Sequence, residues 1–475
     1  MGRCVLSTEP ATSEEQAQEH TSSPGVNEIG VLVTVALGTM LAPLNSTMIA
    51  VALPSIMQDF GAPLAEAGWI VTAYLIAMAC LQPVAGKLGD RLGRRRMILG
   101  GLVYFALVSM GAASATSLSA LLFFRIQQAI AAAIALPNGT ALLRSIVPEE
   151  RRGARFGMLG AAVVLAAAAG PPIGGILVQY SDWPSIFYAN LLLVVPAFLL
   201  GLKVLPPDRI SPTDKPFDLV GAVLLLISLF GIAGLLVQSR QAEAFVDPVL
   251  GCLLVAGISA AFLIREWRHP DPVIQPRFFL RRSFAAANAG VSLSNLAMYT
   301  TFLAIPIMLS TRPEWSAART GLVLAALWTP TALLAPFGGR LADRWGRRWP
   351  TVCGLILFAA GLAPLAWSGA SIDLTVLVVS LGTGGIGLGL SSAGMQTAAV
   401  ESVDADEAGV ASGIYSTSRY LGSIVGSSVL AATLQPGVGE GGFATIYLVV
   451  FGAACAAVLA ALGLHNRPSE RISDA

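Results

Sequence analysis

The chain has 475 residues, 55% of them hydrophobic and only 12% charged, with a net charge of +1. A water-soluble chain of this length would carry roughly 25% charged residues to cover its surface, so most of it must face lipid. The near-zero net charge offers nothing to a polyanionic partner, and nucleic-acid binding is excluded on that ground.

Residues 1–28 are polar and mixed in charge. They lack the basic-then-apolar pattern and cleavage site of a secretory leader and read as a cytoplasmic tail. A helix crosses the bilayer core in about 20 apolar residues. Fourteen such runs follow, at about 30–53, 66–86, 97–115, 119–142, 156–178, 184–204, 218–238, 247–265, 285–309, 320–341, 350–369, 373–399, 407–433 and 443–464. The alternating ten-residue segments of a closed barrel do not occur, so the fold class is all-α integral membrane protein. Lys and Arg set the orientation. Counted loop by loop, 24 of the 29 fall on one side and only Arg240, Arg312 and Arg319 on the other, while Arg125 and Arg419 lie inside spans. That asymmetry predicts an even number of crossings with both termini cytoplasmic.

Between the second and third spans the chain reads GKLGDRLGRRR, Gly86 to Arg96. Between the tenth and eleventh it reads GRLADRWGRRW, Gly339 to Trp349, with Asp90 and Asp343 at matching positions. A phrase repeated on one face is what a parallel duplication gives, two six-helix bundles related by an axis along the membrane normal. The seventh and eighth spans then form an inserted hairpin. The predicted divisions are a tail 1–28, a bundle 29–205, a linker with the hairpin 206–282, a second bundle 283–465 and a tail 466–475. In the first copy Gly86 and Gly93 permit a tight turn. Asp90 is placed to accept hydrogen bonds from Arg91 and Arg94, or from a helix N-terminus. Asp343, Arg344, Gly346 and Arg347 are the second copy, in which Ala342 and Trp345 replace Gly89 and Leu92. One reading is a charged latch between the bundles; the other is that the arginines only fix topology.

An arginine at mid-membrane is costly enough that it normally faces a cavity or a partner. Arg125, with Gln128 one turn on, is the first candidate for a coupling or substrate contact, and Arg419 the second. No Asp or Glu lies near the centre of any span, and Asn45 cannot titrate. Asn45 and Tyr74 are candidate cavity residues. So are Met78, Gln82, Asn138, Asn295, Tyr299, Trp328, Gln396 and Tyr415, each of which equally suits packing. In the fifth span AAAAGPPIGG sets Gly170, Pro171, Pro172, Gly174 and Gly175 together: the prolines predict a kink and the glycines a close helix contact. The five cysteines form no framework, and no metal cluster, cofactor cradle or catalytic constellation is present, so neither a metal, a cofactor nor an enzyme is expected.

GKLGDRLGRRR resembles the signature loop of the major facilitator superfamily. LNSTMIAVALP (Leu44 to Pro54), FRIQQAIAA (Phe124 to Ala132), GPPIGG (Gly170 to Gly175) and GVASGIYSTSRYLGSIVG (Gly409 to Gly426) are similar to motifs of its fourteen-helix drug:proton antiporter branch. The resemblance covers nearly the full length. It implies the major facilitator fold and a monomeric secondary transporter of the cell membrane. Such a protein would export amphipathic drug-like or antibiotic molecules by proton antiport through alternating access. It also implies that Asp90 and Asp343 act in latches and that GPPIGG seals against ion leak. Asn45 stands where that branch carries an acid thought to bind the coupling proton. This departure leaves open a second expectation, a proton-uncoupled facilitator or importer of one metabolite.

Overall fold

A computed structural model describes residues 27–208, 218–238, 247–270, 272–312, 315–404, 407–434 and 440–466. Most of both predicted tails lies outside that set. The described chain is helical, and fourteen long helices carry it back and forth. They are α1 (Glu28–Asp59), α2 (Trp69–Leu92), α3 (Arg94–Ala113), α4 (Leu118–Ile146), α5 (Glu149–Ser181), α6 (Leu191–Val204) and α7 (Leu219–Gln238). The rest are α8 (Pro248–Arg268), α9 (Arg282–Ser310), α10 (Ala317–Trp345), α11 (Arg348–Ser368), α12 (Leu374–Glu401), α13 (Ala408–Thr433) and α14 (Glu440–Ala461).

Helix starts follow the capping residues the sequence supplies. A side-chain oxygen that accepts a free N–H of the first turn replaces a lost backbone bond. Asn27 caps Gly30 at 2.9 Å, Ser117 caps Ala120 at 3.2 Å, and Ser316 caps Arg319 at 3.3 Å. Asp247 accepts from Val249 and Leu250 with Pro248 at the first helical position, where its missing N–H costs nothing. Asp373 likewise caps Thr375.

Among the described residues thirteen helical stretches are both long and apolar enough to cross a membrane, against the fourteen expected; the sixth of them, Ser185–Val204, is α6 together with a short helix before it. The exception is α13, whose 26 residues reach far enough but carry Ser412, Ser416, Thr417, Arg419, Ser423, Ser427 and Ser428. The polarity has a structural reason: α13 is wedged among α9, α12, α2 and α7, so little of it meets lipid.

Packing partners repeat between the halves. Helix α1 packs on α4, α5 and α6, while α9 packs on α12, α13 and α14. Pairs α2–α4, α3–α4 and α3–α6 recur as α10–α12, α11–α12 and α11–α14. This is the two-fold arrangement that the repeated phrase predicted. Across the halves, α5 packs on α10 and its symmetry mate, α13, packs on α2, with α1 against α9 between them. The hairpin breaks the symmetry. Helix α7 lies over the α2–α13 seam, anchored by Phe230 stacked on Trp69 at 6.0 Å and 9°. Helix α8 packs mainly on α7 and turns Val249 (68% exposed), Leu253 (66%) and Leu263 outward to lipid.

Lipid tails are as apolar as leucine, so helices in a bilayer associate through close packing rather than through removal from water. Glycines mark those approaches here. A Cβ on Gly385 would overlap the Leu327 carbonyl, and one on Gly387 would overlap Gly354 and Phe358.

Candidate functional site

The two signature loops have a common construction. Gly93 and Gly346 both take positive φ, +99° and +85°, a region open to glycine without strain. Each ends one helix; the next begins at Arg94, directly after Gly93, and at Arg348, two residues after Gly346. A Cβ on Gly93 would collide with Asp208, and one on Gly346 with Asn466; those two residues follow the last helix of their respective bundles. The carboxylate at the N-terminus of α3 is that of Asp208, which accepts from Arg95 N at 2.7 Å and Arg96 N at 3.2 Å. Arg95 in turn donates to the carbonyls of Leu202 and Leu205 at the end of α6. The sequence reading put Asp90 in such a role and missed Asp208. The side chain of Asp90 lies outside the described set. Arg94 donates to Ala141 O at 3.0 Å, tying α3 to α4, and Arg91 is exposed.

In the second loop Arg347 is 8% exposed and forked on Glu401 at 2.7 and 3.0 Å, with Asp343 as a further acceptor. Arg344 is exposed. Every one of these partners belongs to the same half as its loop. A cavity of about 310 Å³ opens beside Arg347, lined by Arg282, Glu401 and His465 among others; it lies within one half and away from the seam.

Near mid-membrane the candidates converge. Arg125 on α4 is fully enclosed; its Nη1 donates to Gln128 Oε1 at 2.9 Å and its Nε to Ile70 O at 3.4 Å. Its guanidinium lies 4.3 Å from the Tyr74 ring centre. Gln128 donates to Ser109 on α3 at 2.9 Å and accepts from Asn45 on α1 at 3.3 Å. Four helices are thus joined by one polar cluster in which three atoms, Arg125 Nη2, Tyr74 Oη and Asn45 Oδ1, have no hydrogen-bond partner. Buried polar atoms are nearly always satisfied, so three in one cluster mark the place.

Residue 46, next to Asn45, crosses the seam: Ser46 Oγ lies 2.5 Å from Tyr299 Oη on α9. Thr72 and Ser427 bond at 2.8 Å, and Gln82 donates to Tyr420 at 3.3 Å. Arg419 lies 5.4 Å from the Tyr420 ring, and no carboxylate pairs with it among the described residues. Phe302 meets Trp328 edge-on at 5.8 Å, adding an aromatic wall from α9 and α10.

The antiporter-like motif lies on the other seam. Helix α5 continues unbroken through Pro171 and Pro172. Gly170 faces Thr47, and Gly174 faces the Met48 backbone, on α1. Gly175 faces α10, where a Cβ would come within 2.5 Å of Ala317 O; reciprocally, one on Gly321 would overlap the Pro171 carbonyl. Gly175 with Ala317 and Gly321 with Pro171 on this seam, and Thr72 with Ser427 on the other, lie toward the helix ends opposite the basic loops, where Ala65 also packs on Ala431.

Other candidates separate. Asn138 is buried against Gly89 and bonded to Ala85 O at 3.0 Å, a packing contact between α2 and α4. Asn295 bonds within its own helix. Asp59 accepts from Trp183 Nε1 at 3.0 Å, and Asp373 is a cap, so these two carboxylates have structural partners.

A sequence profile of the Major Facilitator Superfamily matches residues 35–266 and 287–475. The "uncharacterized MFS-type transporter YvkA" of Bacillus subtilis is 34% identical over 445 residues, covering 94% of this chain and 98% of that protein. The "tetracenomycin C resistance and export protein" of Streptomyces glaucescens is 30% identical over 439 residues, 92% of this chain and 81% of that one. A D-xylose–proton symporter crystal structure superposes with a TM-score of 0.64 at 15% identity, over 91% of this chain and 96% of that chain, and speaks for the fold alone.

Proposed function

The chain belongs to the major facilitator superfamily, and on that premise we propose that it exports amphipathic small molecules across the cell membrane, as a monomer, by alternating access driven by inward proton flow. It is a multi-pass membrane transporter and not an enzyme. The carrying observation is the pair of symmetry-related seams, α5–α10 and α2–α13, which close on the face away from the basic loops. Rocking one bundle against the other would part these seams and close the opposite face. Positive loops stay in the cytoplasm, so this arrangement is closed to the outside.

In this reading Asp90, Arg91, Arg94, Asp343, Arg344 and Arg347 form latches that hold one orientation. Gly170 to Gly175 form the hinge of the outer seam. Asn45, Tyr74, Arg125, Gln128 and Arg419 border the transport cavity. Similarity to the tetracenomycin C export protein supports the outward direction. One proton crossing 100 mV releases about 2.3 kcal/mol, enough for roughly a fiftyfold gradient of a neutral solute.

A second reading, proton-uncoupled facilitation of a specific metabolite, is favoured by one observation: Asn45 and the lack of any acid near a helix centre. Inverted membrane vesicles with an imposed pH gradient separate the two. Antiport predicts collapse of the gradient on adding an amphipathic substrate. Gradient-independent counterflow of one compound would favour facilitation.

A further inference from the structure

Arg125 and Arg419, one in each bundle, are the arginines that lie well inside apolar spans. Every Asp and Glu of those twelve helices sits in a first or last turn. The middle of the transport path therefore carries positive charge and no fixed counter-charge. Arg125 makes the imbalance local. It is fully enclosed, its Nη2 has no partner, and the side chain one step away is the neutral amide of Asn45, whose own Oδ1 is unpartnered. A buried cation without a counter-ion is destabilising, because the solvation it lost is not replaced.

We propose that the occupant of the inter-bundle site is an amphipathic organic anion, a carboxylate or phenolate on an aromatic frame. This rests on the alternating-access reading above, but not on whether a proton also moves. An anionic oxygen gives Arg125 a charge-assisted acceptor. A cationic ligand of equal shape meets like charge instead, and specificity then comes from repulsion as much as attraction. Aromatic side chains stand close by for the rest of such a ligand: Tyr74 under the guanidinium, and Tyr299, bonded to Ser46, which continues to Phe302 at 6.1 Å and Trp328 at 5.8 Å. Tyr299 reaches the same region from the other bundle through its bond to Ser46, the neighbour of Asn45. The ligand's own charge also supplies a drive that needs no acid in the membrane. A potential of about 100 mV, negative inside, balances a monoanion at roughly fiftyfold higher concentration outside.

The test uses purified full-length protein in vesicles under a potassium-diffusion potential. It compares two dyes on one frame, anionic fluorescein and cationic rhodamine 6G, and measures thermal stabilisation by naphthylacetate against naphthylmethylammonium. Wild-type protein should move fluorescein at least tenfold faster than rhodamine 6G, with the flux following the sign of the potential, and only the naphthylacetate should stabilise it. Arg125→Gln should erase the preference and Arg125→Lys should keep part of it. Asn45→Asp, nearly the same in shape, should reduce the anion-to-cation ratio tenfold or more by supplying the missing counter-charge inside the fold. Equal or faster cation flux, or an unchanged ratio in Asn45→Asp, would overturn the anion assignment alone. Flux and stabilisation by neither charge class would overturn it together with the transport reading.

Discussion

The tightest contact between the halves sets up a direct experiment. A methyl group on Gly321 of α10 would sit 2.9 Å from the Pro171 carbonyl carbon and 3.3 Å from Gly175 Cα, and closer still to the Pro171 oxygen. Non-bonded carbon atoms settle at about 3.5–4.0 Å, so α5 and α10 would have to part by about 1 Å. Overpacking of this kind costs about 1–3 kcal/mol. The strain exists only while the seam is shut, so Gly321→Ala should shift the balance toward the open seam by about 5- to 150-fold. A cysteine at Ala317, beside Gly175, would report the opening. Its labelling by a membrane-impermeant maleimide should quicken at least fivefold in Gly321→Ala, and transport should fall. Gly160→Ala is the control, since nothing lies within 4 Å of a Cβ there. Unchanged labelling in Gly321→Ala, with transport intact, would refute the claim that this glycine contact holds the outer seam.

Gly93→Ala and Gly346→Ala should each lower the melting temperature in detergent, because a side chain at these positive-φ, extended-ψ positions costs about 1–3 kcal/mol and displaces Asp208 or Asn466; a loss at only one of them would contradict the shared construction of the loops. Arg347→Ala should destabilise the second half by about 1–3 kcal/mol, chiefly through Glu401, since Asp343 is 70% exposed and contributes little; a double-mutant cycle with Glu401→Gln measures it. At the base of the hairpin, burial pushes the Asp218 carboxyl up, but the Gly221 N–H, Arg265 and His269 together hold it below the usual range. A depressed pKa stabilises above the unfolded value of about 3.9 and is lost only as pH falls through the folded value. Protection of the Gly221 amide, its exchange rate relative to the intrinsic rate at the same pH, should therefore hold at pH 5 and fall below about pH 4.

Much of this architecture was legible because lipid imposes a simple rule on sequence. Runs of apolar residues gave the helices. The repeated phrase gave the two-fold relation that α1–α5 and α9–α13 display. The grouping of Arg125 with Gln128 was legible from helical spacing, and GPPIGG from its glycines. What escaped were the partners, since pairing across helices leaves no periodic trace. Asp208 lies more than a hundred residues from the N–H groups it caps. Ser46, Thr72, Ser109 and Ser427 are small polar residues in apolar helices, where bonding to a neighbour and bonding to their own backbone look alike in sequence. Asn138 shows the same ambiguity: a buried amide that serves packing, as it does between α2 and α4, has the same spelling as one that lines a cavity. The polarity of α13 was a usable signal, because a helix short of apolar residues must be sheltered by protein.

The position of α7 has a mechanical consequence. By duplication alone the two seams would share the same surroundings, but one now opens onto lipid and the other onto the chain's own helix. A rigid-body swing between the halves leaves the lipid-side seam free, whereas on the far side α7 must either slip along α2 and α13 or travel with one of them. The Trp69–Phe230 stack ties it to α2. Under the proposed rocking motion, the added hairpin would turn a balanced rocker into a lever with an inside and an outside edge.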